Sequence, residues 1–265
     1  MGKVTVFTKV RIRDELTLEV FRKAYRQLLN TVPDETQILL IDNQTEEPWK
    51  KELYRFLWSF EVQVIRNEEN NYCRAYNYGL LRAEGSYFFS VDADVIVYDG
   101  WMGELVSELT DEIGILLPSQ LPVKVKSVDL LLRWPEEDRR SRYKHAYQFD
   151  KLNGSIWLAR TEDLRRWGPF PEIFGNGGVE DKWLFYRCME FGKQVARTQN
   201  CWVAHLQLAT WANSDPGRRE RSLANRKYIA QRYGVPLEQY HRLGFEKIQE
   251  LNPEKVEVQG WQNFS

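Results

Sequence analysis

Cysteine is scarce in this chain. Its three residues in 265, Cys73, Cys188 and Cys201, are an odd number without metal-ligand spacing or the density of a disulfide scaffold. Reduced, mostly structural thiols and a reducing compartment are expected. Charge of one sign is lacking too: 37 basic against 38 acidic side chains leave a net charge of −1, so no global field draws the protein to nucleic acid or an anionic membrane. Any anion site must be local. No apolar run approaches the ~20 residues of a membrane span, and Val4 to Val10 cannot act as a signal core because Thr5, Thr8 and Lys9 interrupt it. Gly2 opens no myristoylation signal, since Val6 stands where Ser or Thr is needed. Internal repeats, low-complexity segments and a Gly-rich, Lys-containing phosphate loop near the first strand are absent as well. A cytoplasmic protein is expected, built as one large α/β domain with a tail.

What is present begins with aromatics. Ten tryptophans and thirteen tyrosines are many for this length; most are expected in the core, the rest as flat platforms for ligand faces. Val4–Val10 reads as a strand, and Leu18, Phe21, Tyr25, Leu28 and Leu29 then recur at helical spacing. Strand signals return at Gln37–Ile41, Val62–Ile65 and Tyr87–Val91, with helices from about Pro48 and from Tyr72 to Glu84, the latter stopped by Gly85. This β-α-β alternation predicts a mostly parallel sheet with helices on both faces and ligands at the carboxyl ends of the strands. The second half is less regular. Trp101–Leu109 reads as a helix, and Ile113–Leu117 and Ser155–Ala159 as strands. Thr161 is expected to N-cap a short helix, Asp181 to open one ending at Gly192, and Val195–His205 to be extended. Pro118 to Asp150 is a long polar and basic stretch without clear period, of the kind that carries function. From Pro216 a basic helix begins, so the division expected is 1–215 for the main domain and 216–265 for a helical extension.

The strand from Tyr87 runs out into Asp92-Ala-Asp94. Side chains two apart on extended backbone leave on the same side, so these carboxylates can converge on one ion. Hard oxygens suit Mg²⁺ or Mn²⁺ rather than zinc. Alone, such a short motif is a weak signal.

Five features in order supply the context. They are the first strand with Thr8, the strand ending Asp42-Asn-Gln-Thr45, and Arg74-Ala-Tyr-Asn77-Tyr-Gly79 with Gly85. Asp92-Ala-Asp94 and Phe174-Gly-Asn-Gly-Gly-Val-Glu180-Asp181 with its helix complete them. Together they resemble the GT-A glycosyltransferases, most closely family 2, over about Val4 to His205; the glycines before Glu180 are also similar to those of the β-1,4-galactosyltransferases.

The resemblance implies a GT-A fold and a metal-dependent, inverting hexosyltransferase. The donor would be a nucleoside diphosphate sugar, UDP-linked, and the acceptor a glycan, lipid-linked or small-molecule hydroxyl. It implies that Thr8, Asp42, Arg74 and Asp92 contact the donor, that Asp94, Asp92 and His205 hold Mn²⁺ or Mg²⁺, and that Asp181 is the base with Glu180 orienting the acceptor. Arg218, with Arg219 and Arg221, would close over the diphosphate, and Trp157, Trp183 and Trp211 are candidates for acceptor stacking. Plainer readings stand beside these. Asp42 suits an Asx turn, Arg74 a surface charge, Asn77 and Gly79 helix packing, Asp181 a helix cap and His205 a buried core imidazole. A retaining transferase on the same fold and a non-catalytic nucleotide-sugar or glycan-binding module are the alternatives. Intact acidic motifs argue against the second.

Overall fold

The computed structural model of the protein describes residues 2–121, 128–133, 154–176, 178–206 and 217–234. Its first half follows the expected alternation. β1 (Val4–Val10), β2 (Gln37–Asn43) and β3 (Gln63–Asn67) are parallel neighbours, and β4 (Tyr87–Val91) joins β1 on its other side, also parallel. The crossovers are α1 (Glu15–Thr31), α2 (Trp49–Leu57) and α3 (Tyr72–Arg82). α1 starts at a reciprocal cap, in which the Asp14 carboxylate accepts from the Thr17 N–H and the Thr17 hydroxyl accepts from the Asp14 N–H, worth about 1 kcal/mol. Its Leu18, Phe21 and Leu28 pack with Val4, Val6 and Val10 on one face of the sheet. α3 covers the other face, where Phe7, Tyr76, Phe88 and Trp157 share a core. A Cβ on Gly79 would lie 2.4 Å from the Phe7 ring, and the Asn77 amide bonds both the N–H and the C=O of Phe170, at 2.8 and 3.0 Å. Both residues serve packing.

The second half contributes β5 (Val95–Ile96), α4 (Trp101–Glu108), β6 (Ile113–Leu121), α5 (Val128–Leu132), β7 (Ile156–Arg160) and α6 (Thr161–Trp167). A 3₁₀ turn (Glu172–Phe174), α7 (Glu180–Glu190), β8 (Gln194–His205) and α8 (Arg218–Arg232) follow. β7 inserts antiparallel between β4 and β6, β8 runs parallel to β6, and β5 closes the edge antiparallel to β8. The result is one eight-stranded sheet, in the order β3-β2-β1-β4-β7-β6-β8-β5, mixed and mostly parallel as expected.

Several local expectations change. β6 continues through Pro118, which sits at a register jump: Leu117 faces Arg197 while Ser119 faces Trp202. A missing N–H is tolerated at such an irregularity. α5 then lies in the stretch without period, because Val128 and Leu131 are buried with Val20, Ala24 and Tyr98; residues 122–127 and 134–150 of that stretch lie outside the described residues. Thr161 is the first residue of α6 rather than its cap, and its hydroxyl donates instead to the Gly85 carbonyl at 2.6 Å. α7 starts one residue early, at Glu180, which leaves Asp181 in its first turn.

Trp157 and Trp183 are core residues, the first stacked on Phe88 and Tyr76, the second against Phe174 and Tyr228. Burial removes both as acceptor platforms, and Trp211 lies outside the described residues. α8 shares that core through Ile229 and Ala230, and Asn225 donates to the Phe174 carbonyl at 2.9 Å. The compositional break at Pro216 is thus followed by a helix packed on the main body; residues 235–265 lie outside the described residues. All three cysteines are buried, unbridged thiols. Among the described residues no helix is long and apolar enough to cross a membrane.

Candidate active site

The carboxyl ends of β1 and β4 open into a cleft of about 1110 Å³, its solvent-facing mouth included. Beyond Val91 the chain turns tightly. The Asp92 N–H bonds the Ser155 carbonyl at 2.7 Å and the Val95 N–H returns to the Asp92 carbonyl at 3.1 Å. β5 then pairs with the end of β8, Val95 opposite His205, and the Leu206 N–H bonds the Asp94 carbonyl. This pairing delivers an imidazole to the aspartates from more than a hundred residues downstream. The His205 Nε2 is 3.2 Å from the Asp94 Oδ1, and ligand atoms of Asp92, Asp94 and His205 all lie within 4.8 Å of one another. Two carboxylates and an imidazole at this spacing can hold a divalent cation.

Burial by itself pulls the His205 pKa down, but the hydrogen bond and charge of Asp94 outweigh it and the net direction is up. The Asp92 pKa is raised, chiefly by burial and also by Asp94, with Lys9 opposing.

Lys9 lies on the same face of β1 as Phe7 and reaches this cluster. Its ammonium donates to the Asp92 Oδ1 at 2.5 Å and to the Tyr76 hydroxyl at 3.0 Å, and stands 4.7 and 5.6 Å from the ring centroids of Tyr76 and Tyr72. Burial lowers its pKa, yet Asp92, Tyr76 and Glu180 together hold it well above the usual lysine value.

Glu180 and Asp181 face the cleft from the N-terminus of α7, where the helix dipole favours anions. The Glu180 carboxyl is pushed up to about 7, first by desolvation, against the pull of Lys9 and with repulsion from Asp181 and Asp92. Asp181 accepts from the Gly154 N–H at 3.3 Å and the Lys182 N–H at 2.8 Å. Gly154 is required there, because a Cβ would lie 2.4 Å from that of Asp181. Arg218, at the start of α8, and Arg11 and Arg13, just past β1, line the same cleft and make its rim cationic. Of the other two arginines expected at the diphosphate, Arg221 donates to the Asn176 side chain at 2.9 Å and Arg219 is exposed outside the cleft.

Thr8, Asp42 and Arg74, expected at the donor, do not line the cleft, and each has a physical reason. Thr8 alternates with Phe7 and Lys9 and so turns to the opposite face of β1, where it is buried. Asp42 is buried behind the sheet end: Thr45 N–H donates to its Oδ1 at 2.9 Å, Tyr54 hydroxyl to its Oδ2 at 3.2 Å, and Arg66 forms an ion pair with it. Burial and Asp42 together push the Tyr54 hydroxyl up to about 12. Arg74 is ion-paired to Glu172 at 2.7 Å and Glu69 at 2.8 Å.

The sequence reading missed Lys9, Arg11, Arg13 and Tyr72 as cleft residues. One signal was available: Lys9 stands inside an otherwise apolar strand, where a lysine requires a partner.

The family model described as "Glycosyl transferase family 2" matches residues 11–159, while no curated protein matches. Among solved structures, GalNAc-T7 with UDP, GalNAc and Mn²⁺ is 18% identical with a TM-score of 0.69, over 100% of this chain and 56% of that one. The chain thus spans little more than half the length of that neighbour. A mannosyltransferase, PcManGT from Pyrobaculum calidifontis, in complex with GDP-Man and Mn²⁺, is 15% identical with a TM-score of 0.62, covering 96% of this chain and 73% of that one. S. aureus TarS residues 1–349 with UDP-GlcNAc gives 13% identity and a TM-score of 0.64, covering 94% and 71%. At these identities the likeness is one of fold.

Proposed function

The chain belongs to glycosyl transferase family 2, and from that premise we propose that it moves a sugar from a nucleoside diphosphate, with UDP as the nucleotide, to a hydroxyl acceptor with inversion. The observation that carries this reading is the convergence of Asp92, Asp94 and His205 within 4.8 Å, with Asp92 and His205 lining the cleft that also receives Glu180 and Asp181, and Asp94 fully buried beside them. Asp94 and His205, with Asp92, would hold Mn²⁺ or Mg²⁺. The imidazole leans the set toward Mn²⁺, since magnesium prefers oxygen and water. When bound, the cation supplies electrostatic stabilisation to the departing diphosphate. Arg218, Arg11 and Arg13 add positive charge to the lining of the cleft.

Single displacement needs a carboxylate on the side of the sugar away from the leaving group. The acceptor hydroxyl oxygen forms the bond to the anomeric carbon, the bond from that carbon to the diphosphate oxygen breaks with its electron pair, and the carboxylate takes the hydroxyl proton. Asp181 is assigned that role. It lines the cleft, whereas the neighbouring Glu180 feels the charges of Lys9 and Asp92. Glu180, protonated part of the time near neutral pH, orients a sugar hydroxyl. The Gly154 N–H holds the Asp181 carboxylate in place.

The test is release of UDP from a panel of UDP-sugars with Mn²⁺ and acceptor, with the anomeric configuration of the product read by NMR. Turnover with inversion, reduced about a hundredfold or more by Asp181→Asn, supports the reading. A retained anomer, or Mn²⁺-independent turnover, would overturn it.

A further inference from the structure

Lys9 is a built-in cation inside a site assigned to a cation. Its side chain is 10% exposed and its ammonium sits 2.5 Å from the Asp92 Oδ1, a carboxylate that is also one of the three groups converging within 4.8 Å. The rest of its surroundings are fixed: the Tyr76 hydroxyl at 3.0 Å and the rings of Tyr72 and Tyr76. Tyr76 is in turn held by the Ser90 hydroxyl at 3.1 Å and stacked on Phe170. The lysine stem is therefore braced along an aromatic wall, while its head lines the cleft with Arg218.

Two cations held by one carboxylate repel each other. A lysine, with four flexible methylenes and a compact charge, can leave an ion pair without disturbing the backbone that carries it. Once Asp92 is taken, Glu180 and the diphosphate that the same cleft is proposed to receive are the anions left to answer the ammonium. Resting on the function proposed above, the geometry points to Lys9 as an internal antagonist of the metal: it occupies Asp92 in the resting site, yields that carboxylate to the incoming cation and transfers its charge to the diphosphate. Metal and nucleotide binding are then coupled through one side chain. Each ligand alone binds weakly, and each promotes the other, as reciprocal linkage demands.

The experiment follows the electron paramagnetic resonance signal of free Mn²⁺ during titration of the wild type, Lys9→Met and Lys9→Gln, each with and without UDP. Met keeps the apolar stem against the tyrosines, Gln keeps a polar head, and far-UV circular dichroism checks the fold of both. In the absence of UDP both variants are expected to bind Mn²⁺ about tenfold more tightly than the wild type, and the tightening produced by UDP is expected to shrink by a similar factor. Unchanged or weaker Mn²⁺ binding by the two folded variants would overturn the antagonism and leave Lys9 as a residue that positions Asp92. No Mn²⁺ binding by any of the three proteins would overturn the metal site itself, and the inference with it. The readout is metal affinity, so these failures separate from any loss of turnover.

Discussion

Asp42 and the Asp92/Asp94 pair have the same address and opposite fates. All follow apolar strands of the parallel half of the sheet, at the carboxyl end where ligands of α/β proteins bind. Asp42 is met directly by Arg66, its register partner on β3, and by Tyr54 and Thr45, so its charge is closed off within the protein. Beyond β4 lies the antiparallel strand β7, and the two residues just before it, Gly154 and Ser155, line the cleft without bringing a charge. The carboxylates of α7 crowd in as well, and Lys9 is the buried cation that answers them at Asp92. Both Asp42 and Asp92 meet a cation from a neighbouring strand, Arg66 and Lys9 respectively; what separates them is that Asp92 also lines the cleft and Asp42 does not.

The largest expected effect separates the two regions by function. Asp94→Ala should lower Mn²⁺-dependent turnover about a thousandfold in the protein that remains folded; a variant that turned over normally would erase the distinction. Asp42→Ala should do the reverse. It removes the buried partner of Arg66, which keeps the exposed Glu68 and the Thr45 carbonyl, and should cost about 2–3 kcal/mol of stability, read by urea denaturation, with Mn²⁺ affinity unchanged in the protein that remains folded.

The smallest effect concerns pH. The Glu180 carboxyl is held at about 7 against an ordinary value of 4.5, so the folded state keeps this proton more tightly than the unfolded chain. That contribution to stability is complete below 4.5 and is lost as pH rises to about 7. Glu180→Gln escapes the loss. It should melt higher than the wild type at pH 8 by on the order of 1 kcal/mol, a few degrees, and the gap should narrow toward pH 5. A gap that widened on acidification would reverse the sign of the argument.

The contrast also explains what was legible in the sequence. Strand and helix order through Val91 followed from periodicity, and the Asp92-Ala-Asp94 motif, the Glu180-Asp181 pair and His205 were visible because residue type and order carry them. Three placements were not legible for one common reason. Arg74 looked available for a ligand until Glu172, far along the chain, was brought onto it. Asp42 was read as a donor contact with an Asx turn as the plainer alternative, and the register that sets Arg66 beside it could not be read from the sequence. Lys9 was read as a polar interruption of a strand, and its importance depends on Asp92 and Tyr76 lying beside it in space. The polar stretch after Pro118 concealed part of β6 and the short α5, whose stability comes from burying Leu131 against distant residues rather than from local period.

The most direct test is anomalous diffraction from crystals of the protein grown with Mn²⁺ and UDP. The account predicts a manganese peak bridging Asp94 and His205, at the Asp92 end of the cleft, and none at Asp42. A manganese bound elsewhere, or UDP bound in the cleft with no metal between it and these residues, would contradict it.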